Sequence, residues 1–131
     1  MKRIIVAISV LLLAACASQP IYDVKAHPVP VAAQTLPQEK LERLIIDAGQ
    51  SRGWLFERTA SGKLRGTQHS KDLTAVVDVV FDQHSYSINH VSTSGMKEQG
   101  GTIHPHYNFW VRNLEHDIET WLTNGPVLAK P

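Results

Sequence analysis

LTAVVDVVF, residues Leu73 to Phe81, is rich in valine and shows no helical spacing of its apolar positions. Read as a strand, it puts Ala75, Val77, Val79 and Phe81 on one face and Thr74, Val76, Asp78 and Val80 on the other. One face is wholly apolar and the other is mixed. That is the signature of an antiparallel sheet covered on one side. Asp82-Gln83-His84 then turns the chain. Ser85 to Val91 returns with Tyr86 and Ile88 inward and Ser87 and Asn89 outward.

Upstream, Ser70-Lys71-Asp72 is a turn, and Lys63 to His69 reads as a polar edge strand. Ala60-Ser61-Gly62 is a hairpin signal that joins it to a strand over Trp54 to Thr59. Helices flank these strands. Leu41, Leu44, Ile45 and Ala48 recur at helical spacing and predict a helix from Leu36 to Ser51. Thr35 and Gln38 form its capping box, and Gly53 is its stop. Ser92 to Thr102 reads as a loop. After it, Tyr107, Trp110, Val111, Leu114, Ile118, Trp121 and Leu122 make one helical face. Arg112, Glu115, Asp117 and Glu119 take the other face, and Asn124-Gly125-Pro126 ends the helix. The expected fold is α+β. A four-stranded antiparallel meander carries both helices on one face, in the order α-β-β-β-β-α, as a two-layer sandwich.

The chain has 131 residues, a formal net charge of +1 and a single cysteine. A near-neutral balance argues against a phosphate-dominated nucleic-acid binder. One cysteine excludes an internal disulfide and a multi-cysteine zinc site. The N-terminus has the layout of a signal peptide: Lys2 and Arg3, an apolar run from Ile4 to Leu13, then small residues. Residues 16–34 read as a proline-containing tether, broken by Pro20, Pro28 and Pro30. The expected layout is therefore a signal in residues 1–15, the tether, a domain in 35–124 and a tail in 125–131.

Leu13-Ala14-Ala15-Cys16 resembles the lipobox of bacterial lipoproteins. The resemblance implies a diacylglyceryl group on the Cys16 sulfur, cleavage before it and acylation of the new amine. Several acyl chains hold a protein where one is marginal. Ala17, in place of an aspartate after the cysteine, implies the outer membrane, with the domain on the periplasmic face. The domain is similar to a group of small, uncharacterised bacterial lipoproteins. Arg52-Gly53-Trp54, Tyr86-Ser87-Ile88, Ser92 or Ser94, and Ile103-His104-Pro105-His106-Tyr107-Asn108-Phe109-Trp110 carry that likeness. It spans Leu41 to Leu122, implies an envelope location and brings no activity or ligand with it.

Seven histidines raise the question of a metal. His104 and His106 are the first candidates, with His69 or His90 arriving from the sheet. His-Glu-x-x-His spacing is absent, and zinc takes four ligands. The competing role for the His104 ring is to bond an amide of the first helical turn. No cofactor is expected. Gly-x-Ser-x-Gly is also absent, and a triad from Ser92 or Ser94, His104 and Asp78 or Asp82 would rest on geometry alone. The expectation is therefore a non-enzymatic module, held to the membrane through its lipid, that contacts an envelope protein or peptidoglycan and not nucleic acid; the alternative is a periplasmic metal- or small-ligand-binding protein that uses His104 and His106. Its candidate contacts are the open sheet face at Thr74, Val76 and Asp78, together with Tyr107 and Asn108. Tyr107 should bury its ring and find a partner for its hydroxyl. Asn108 should satisfy loop backbone, and with Arg52 the two could link the helix ends.

Overall fold

Strand β5 (Leu73–Phe81) lies in the middle of a five-stranded antiparallel sheet in the computed structural model, which describes residues 18–128. The other strands are β2 (Val24–Pro28), β3 (Leu55–Ala60), β4 (Lys63–Ser70) and β6 (Ser85–Ser94), in the order β2-β6-β5-β4-β3. Two short strands, β1 (Gln19–Pro20) and β7 (Thr102–Ile103), pair separately. Helices α1 (Gln38–Gln50) and α2 (Pro105–Leu128) complete the fold. Ala75, Val77, Val79 and Phe81 are all buried, in one cluster with Leu41 and Ile45 of α1 and Val111, Leu114, Ile118 and Leu122 of α2. The α+β two-layer arrangement is thus present, with the helices packed on the face that the alternation of β5 marked as apolar.

The sheet has one strand more than the expected four, and the extra strand comes from the expected tether. Val24, Val29 and Ala33 are buried in the core, and a 3-10 turn at Val31–Ala33 leads toward α1. The prolines did not prevent this. Pro20 and Pro28 sit at strand ends on sheet edges, where a missing amide costs no ladder bond. The ordered domain therefore begins by Gln19, not near Thr35.

Strand β4 is not an edge. It pairs with β3 on one side and β5 on the other, so the edges are β2 and β3. Its polar look has two causes. Arg65, Thr67 and His69 lie on the uncovered face. On the covered face, Gly66 makes room for an aromatic ring: a Cβ there would stand 2.7 Å from Cε1 of Phe56.

The helix ends also differ from expectation. The N-cap of α1 is Pro37, with no side-chain cap, and Gln38 Nε2 donates to the Phe81 carbonyl at 3.4 Å instead of closing a box with Thr35. Gly53 does reverse the chain after α1, at φ +95. Helix α2 runs through Asn124-Gly125-Pro126 to Leu128. Pro126 removes one amide from the last turn, but its burial holds that turn against α1. Gly125 permits the approach, since a Cβ there would lie 2.5 Å from Leu44 Cδ2.

The register gives the domain two distinct ends. Helix α1 starts beside the β5–β6 turn, where Gln38 meets Phe81, and α2 finishes there against Leu44. At the other end α1 finishes and α2 starts. That end also holds the β4–β5 turn at Lys71 and Asp72, the loop after β6, and strands β1 and β7. No helix among the described residues is long and apolar enough to cross a membrane.

Candidate functional site

The residues singled out in the sequence do not gather in one place. Cys16 lies outside the described residues. On the open sheet face, Thr74 and Val76 are half-buried and Val80 is exposed. Asp78 is committed there: Arg65 Nε and Nη2 donate to its oxygens at 3.0 and 3.2 Å, and Lys63 Nζ lies 3.7 Å away. The register places Leu55, Thr67, Val76 and Ser92 in one row of that face, and Glu57, Arg65, Asp78 and Asn89 in the next. The face is a ladder of paired charges beside a narrow apolar row. Asp82 accepts the amides of His84 and Ser85 and so closes the β5–β6 turn. Those two bonds hold its carboxyl below the usual range.

The histidines do not converge. The His106 amide donates to Nδ1 of His104 at 3.1 Å, so His104 caps the first turn of α2. The His104 and His106 rings stand 5.9 Å apart, and His106 packs edge-on to Trp110. His90 Nε2 is 2.6 Å from Glu98 Oε1, and His69 Nδ1 is 2.9 Å from Thr74 Oγ1. His27 lies in β2 rather than in a tether, stacked on Tyr86 with ring centroids 4.8 Å apart. Among the described residues no three His, Cys, Asp or Glu side chains gather as a metal would need.

Tyr107 and Asn108 separate. The Tyr107 ring is buried as expected, but its hydroxyl is buried with no partner among the described residues. Burial pushes that phenol well above its ordinary pKa. Asn108 does satisfy backbone, but that of the N-terminal segment. Its Oδ1 accepts the Tyr22 amide at 2.9 Å, and its Nδ2 donates to the Pro20 carbonyl at 2.9 Å and to Gln19 Oε1 at 3.1 Å. Nearby, Tyr22 donates its hydroxyl to Glu115 at 2.7 Å, and the Arg112 guanidinium lies 4.5 Å from the Tyr22 ring centroid. Ile21 donates its amide to the Gly101 carbonyl. Five side chains and one loop thus fasten residues 19–22 to the start of α2.

Arg52 joins neither Tyr107 nor Asn108. It pairs with Asp117 of α2 through Nε at 2.5 Å, and its carbonyl accepts Gln68 Nε2 at 3.1 Å. These contacts frame a cleft of about 300 Å³ lined by Arg52, Trp54, Gln68, Phe109, Trp110 and Asn113. Trp54 and Trp110 are buried and form its apolar floor, whereas Phe109 is 61% exposed at its rim. Gln68 Oε1 is buried without a partner among the described residues. Aromatic surface beside two amides and a guanidinium suits a ligand with one flat apolar face and a hydrogen-bonding rim.

Two segments singled out in the sequence, Arg52-Gly53-Trp54 and Ile103 to Trp110, therefore meet here through Arg52, Trp54, Phe109 and Trp110. Gln68 and Asn113 were missed, because nothing in their neighbourhoods distinguishes them from ordinary surface amides. Phe109 left a usable trace: it is an aromatic residue off the apolar stripe of its helix. No family model, curated protein or solved structure matches the chain.

Proposed function

We propose that the chain is a bacterial lipoprotein, acylated at Cys16 and held on the periplasmic face of the outer membrane. Its α+β domain is a non-enzymatic binding module for another envelope component, protein or peptidoglycan. The observation that carries the binding role is the cleft between the α1–β3 corner and α2. It combines a tryptophan floor, an exposed phenylalanine and three polar side chains. The open sheet face is a weaker candidate, because its charges are already paired with one another. No specific observation favours a metal centre on His104 and His106.

Two experiments test the reading. Cys16→Ser should block acylation and leave the precursor uncut; normal cleavage and release as a soluble protein would overturn the anchor. A photoreactive amino acid at Asn113 in intact cells should give discrete adducts, resolved by digestion into protein or muropeptide. The same group at Ser61, in the β3–β4 turn at the opposite end, should give none of them. Identical adduct patterns at both positions would remove the cleft as the site.

A further inference from the structure

Acylation would fix Cys16 at a bilayer, and very little chain separates it from the folded domain. Two peptide steps lead from Cys16 to Ser18, at most about 3.6 Å each, and Gln19 is already paired with Ile103. Residues 19–22 are fastened to α2 by Asn108, Glu115 and Arg112. No stretch remains between lipid and domain that could hold the domain away from the surface.

We propose that the end of the domain where α2 begins rests on the phospholipid surface that holds the anchor, with Phe109 as its interfacial side chain. This rests on the acylation reading above. Phe109 is 61% exposed and is the fifth residue of α2, at that end. The same end carries Lys71 and Lys97 at the tips of turns, neither in an ion pair among the described residues. Asp72 and Glu98 stand beside them in sequence, so the local charge is balanced. Contact therefore depends on the short anchor and on aromatic burial, not on anionic lipid. The mouth of the cleft, with Phe109 at its rim, opens next to the membrane. A ligand would meet it at the bilayer surface rather than deep in the periplasm.

The test uses the processed, full-length protein purified from membranes and returned to phosphatidylcholine vesicles that carry a headgroup acceptor dye. A donor dye is placed at Gln99→Cys or at Ser61→Cys. A strand of the length of β5 separates these ends by about 25 to 30 Å, at roughly 3.3 Å per residue. Mass measurement of the N-terminal peptide comes first: absence of acyl groups on Cys16 overturns the lipoprotein reading, and this inference with it. With acylation shown, transfer from Gln99 should exceed that from Ser61 several-fold, with or without added phosphatidylglycerol. Equal transfer, or more from Ser61, overturns the orientation and leaves the lipoprotein reading intact. An insertion of about twenty Gly/Ser residues between Ala17 and Ser18 isolates the contact itself. The inserted protein should keep high transfer at Gln99, and the added change Phe109→Asp should lower it to the level of Ser61. If Phe109→Asp changes nothing in the inserted protein, Phe109 is not the interfacial contact.

Discussion

Asn108 is the residue whose removal should release the first strand. It is 3% exposed and makes three hydrogen bonds to residues 19–22. The bond to the Gln19 side chain is cheap to lose, because Gln19 is exposed and water can replace it. The other two serve the Tyr22 amide and the Pro20 carbonyl. Pro20 is exposed as well, so water can reach its carbonyl and the Tyr22 amide carries most of the penalty. A buried polar group left without a partner costs about 1 to 3 kcal/mol, and Asn108→Ala should cost about that much in all. In a domain of this size 1 kcal/mol moves the melting temperature by about 4 °C, which predicts a fall on the order of 10 °C. Part of the loss should appear as local opening. An opening eased by about 2 kcal/mol speeds amide exchange roughly 30-fold, and that should be confined to residues 19–24 while β5 stays protected. Asn108→Asp separates lost bonds from lost volume. One oxygen can still accept the Tyr22 amide, but the other would face two acceptors, the Pro20 carbonyl and Gln19 Oε1. The variant should therefore be worse than alanine at neutral pH. Burial raises the folded-state pKa of the new carboxyl above its unfolded value of about 3.9. The penalty is then absent below that value and grows as pH rises through the folded pKa, so the aspartate variant should recover on acidification. The reasoning fails if Asn108→Ala leaves both the melting temperature and the exchange of the Tyr22 amide unchanged.

Tyr107→Phe should raise stability by about 1 kcal/mol, because it removes a buried hydroxyl that has no partner; destabilisation in thermal melts would mean that the hydroxyl is satisfied. Gly66→Ala should cost about 1 to 3 kcal/mol through its clash with the Phe56 ring; in a double-mutant cycle, Phe56→Ala should cancel most of that cost, and simple additivity would refute the contact. Tyr22 is held above its ordinary pKa of 10.0, first by its hydrogen bond to Glu115 and then by burial. Its contribution is complete below the unfolded value and is lost as pH rises through the folded one. Alkaline titration should therefore loosen residues 19–22, and Tyr22→Phe should abolish the pH dependence of that step; phenolate absorbance rising with no accompanying structural change would count against it.

Where a segment was legible, its side chains repeated with one period against one covered surface. Strand β5 alternates over Leu73 to Phe81 except at Asp78, which is buried on the open face under Arg65, and the stripe from Tyr107 to Leu122 holds its spacing except at Trp121, which is 38% exposed. Strand β2 has no such regularity. Its register slips between Val24 and His27, and Ala26 takes φ +49, so alternation cannot be read across five residues that end in proline. It is held instead by what it meets: Val24 lies opposite Ile88, and His27 stacks on Tyr86. Contacts of that kind join residues about sixty positions apart and leave no local pattern.

The cleft was half legible for the same reason. Arg52, Trp54 and Trp110 stood out by residue type, but their meeting rests on the packing of Trp54 and Trp110 into one core, with Arg52 then paired to Asp117 of α2. Asn108 shows how far residue type can lead. A side-chain amide in the first turn of a helix does satisfy nearby backbone, yet the backbone it reached lies 86 positions upstream. That single pairing changes the reading of the anchor. A cysteine followed by proline-broken chain implies a domain on a long leash. Under the acylation proposed above, the same cysteine followed at once by a strand bolted to α2 would hold one end of the domain within a few residues of the lipid, and the fold would then set its orientation at the membrane.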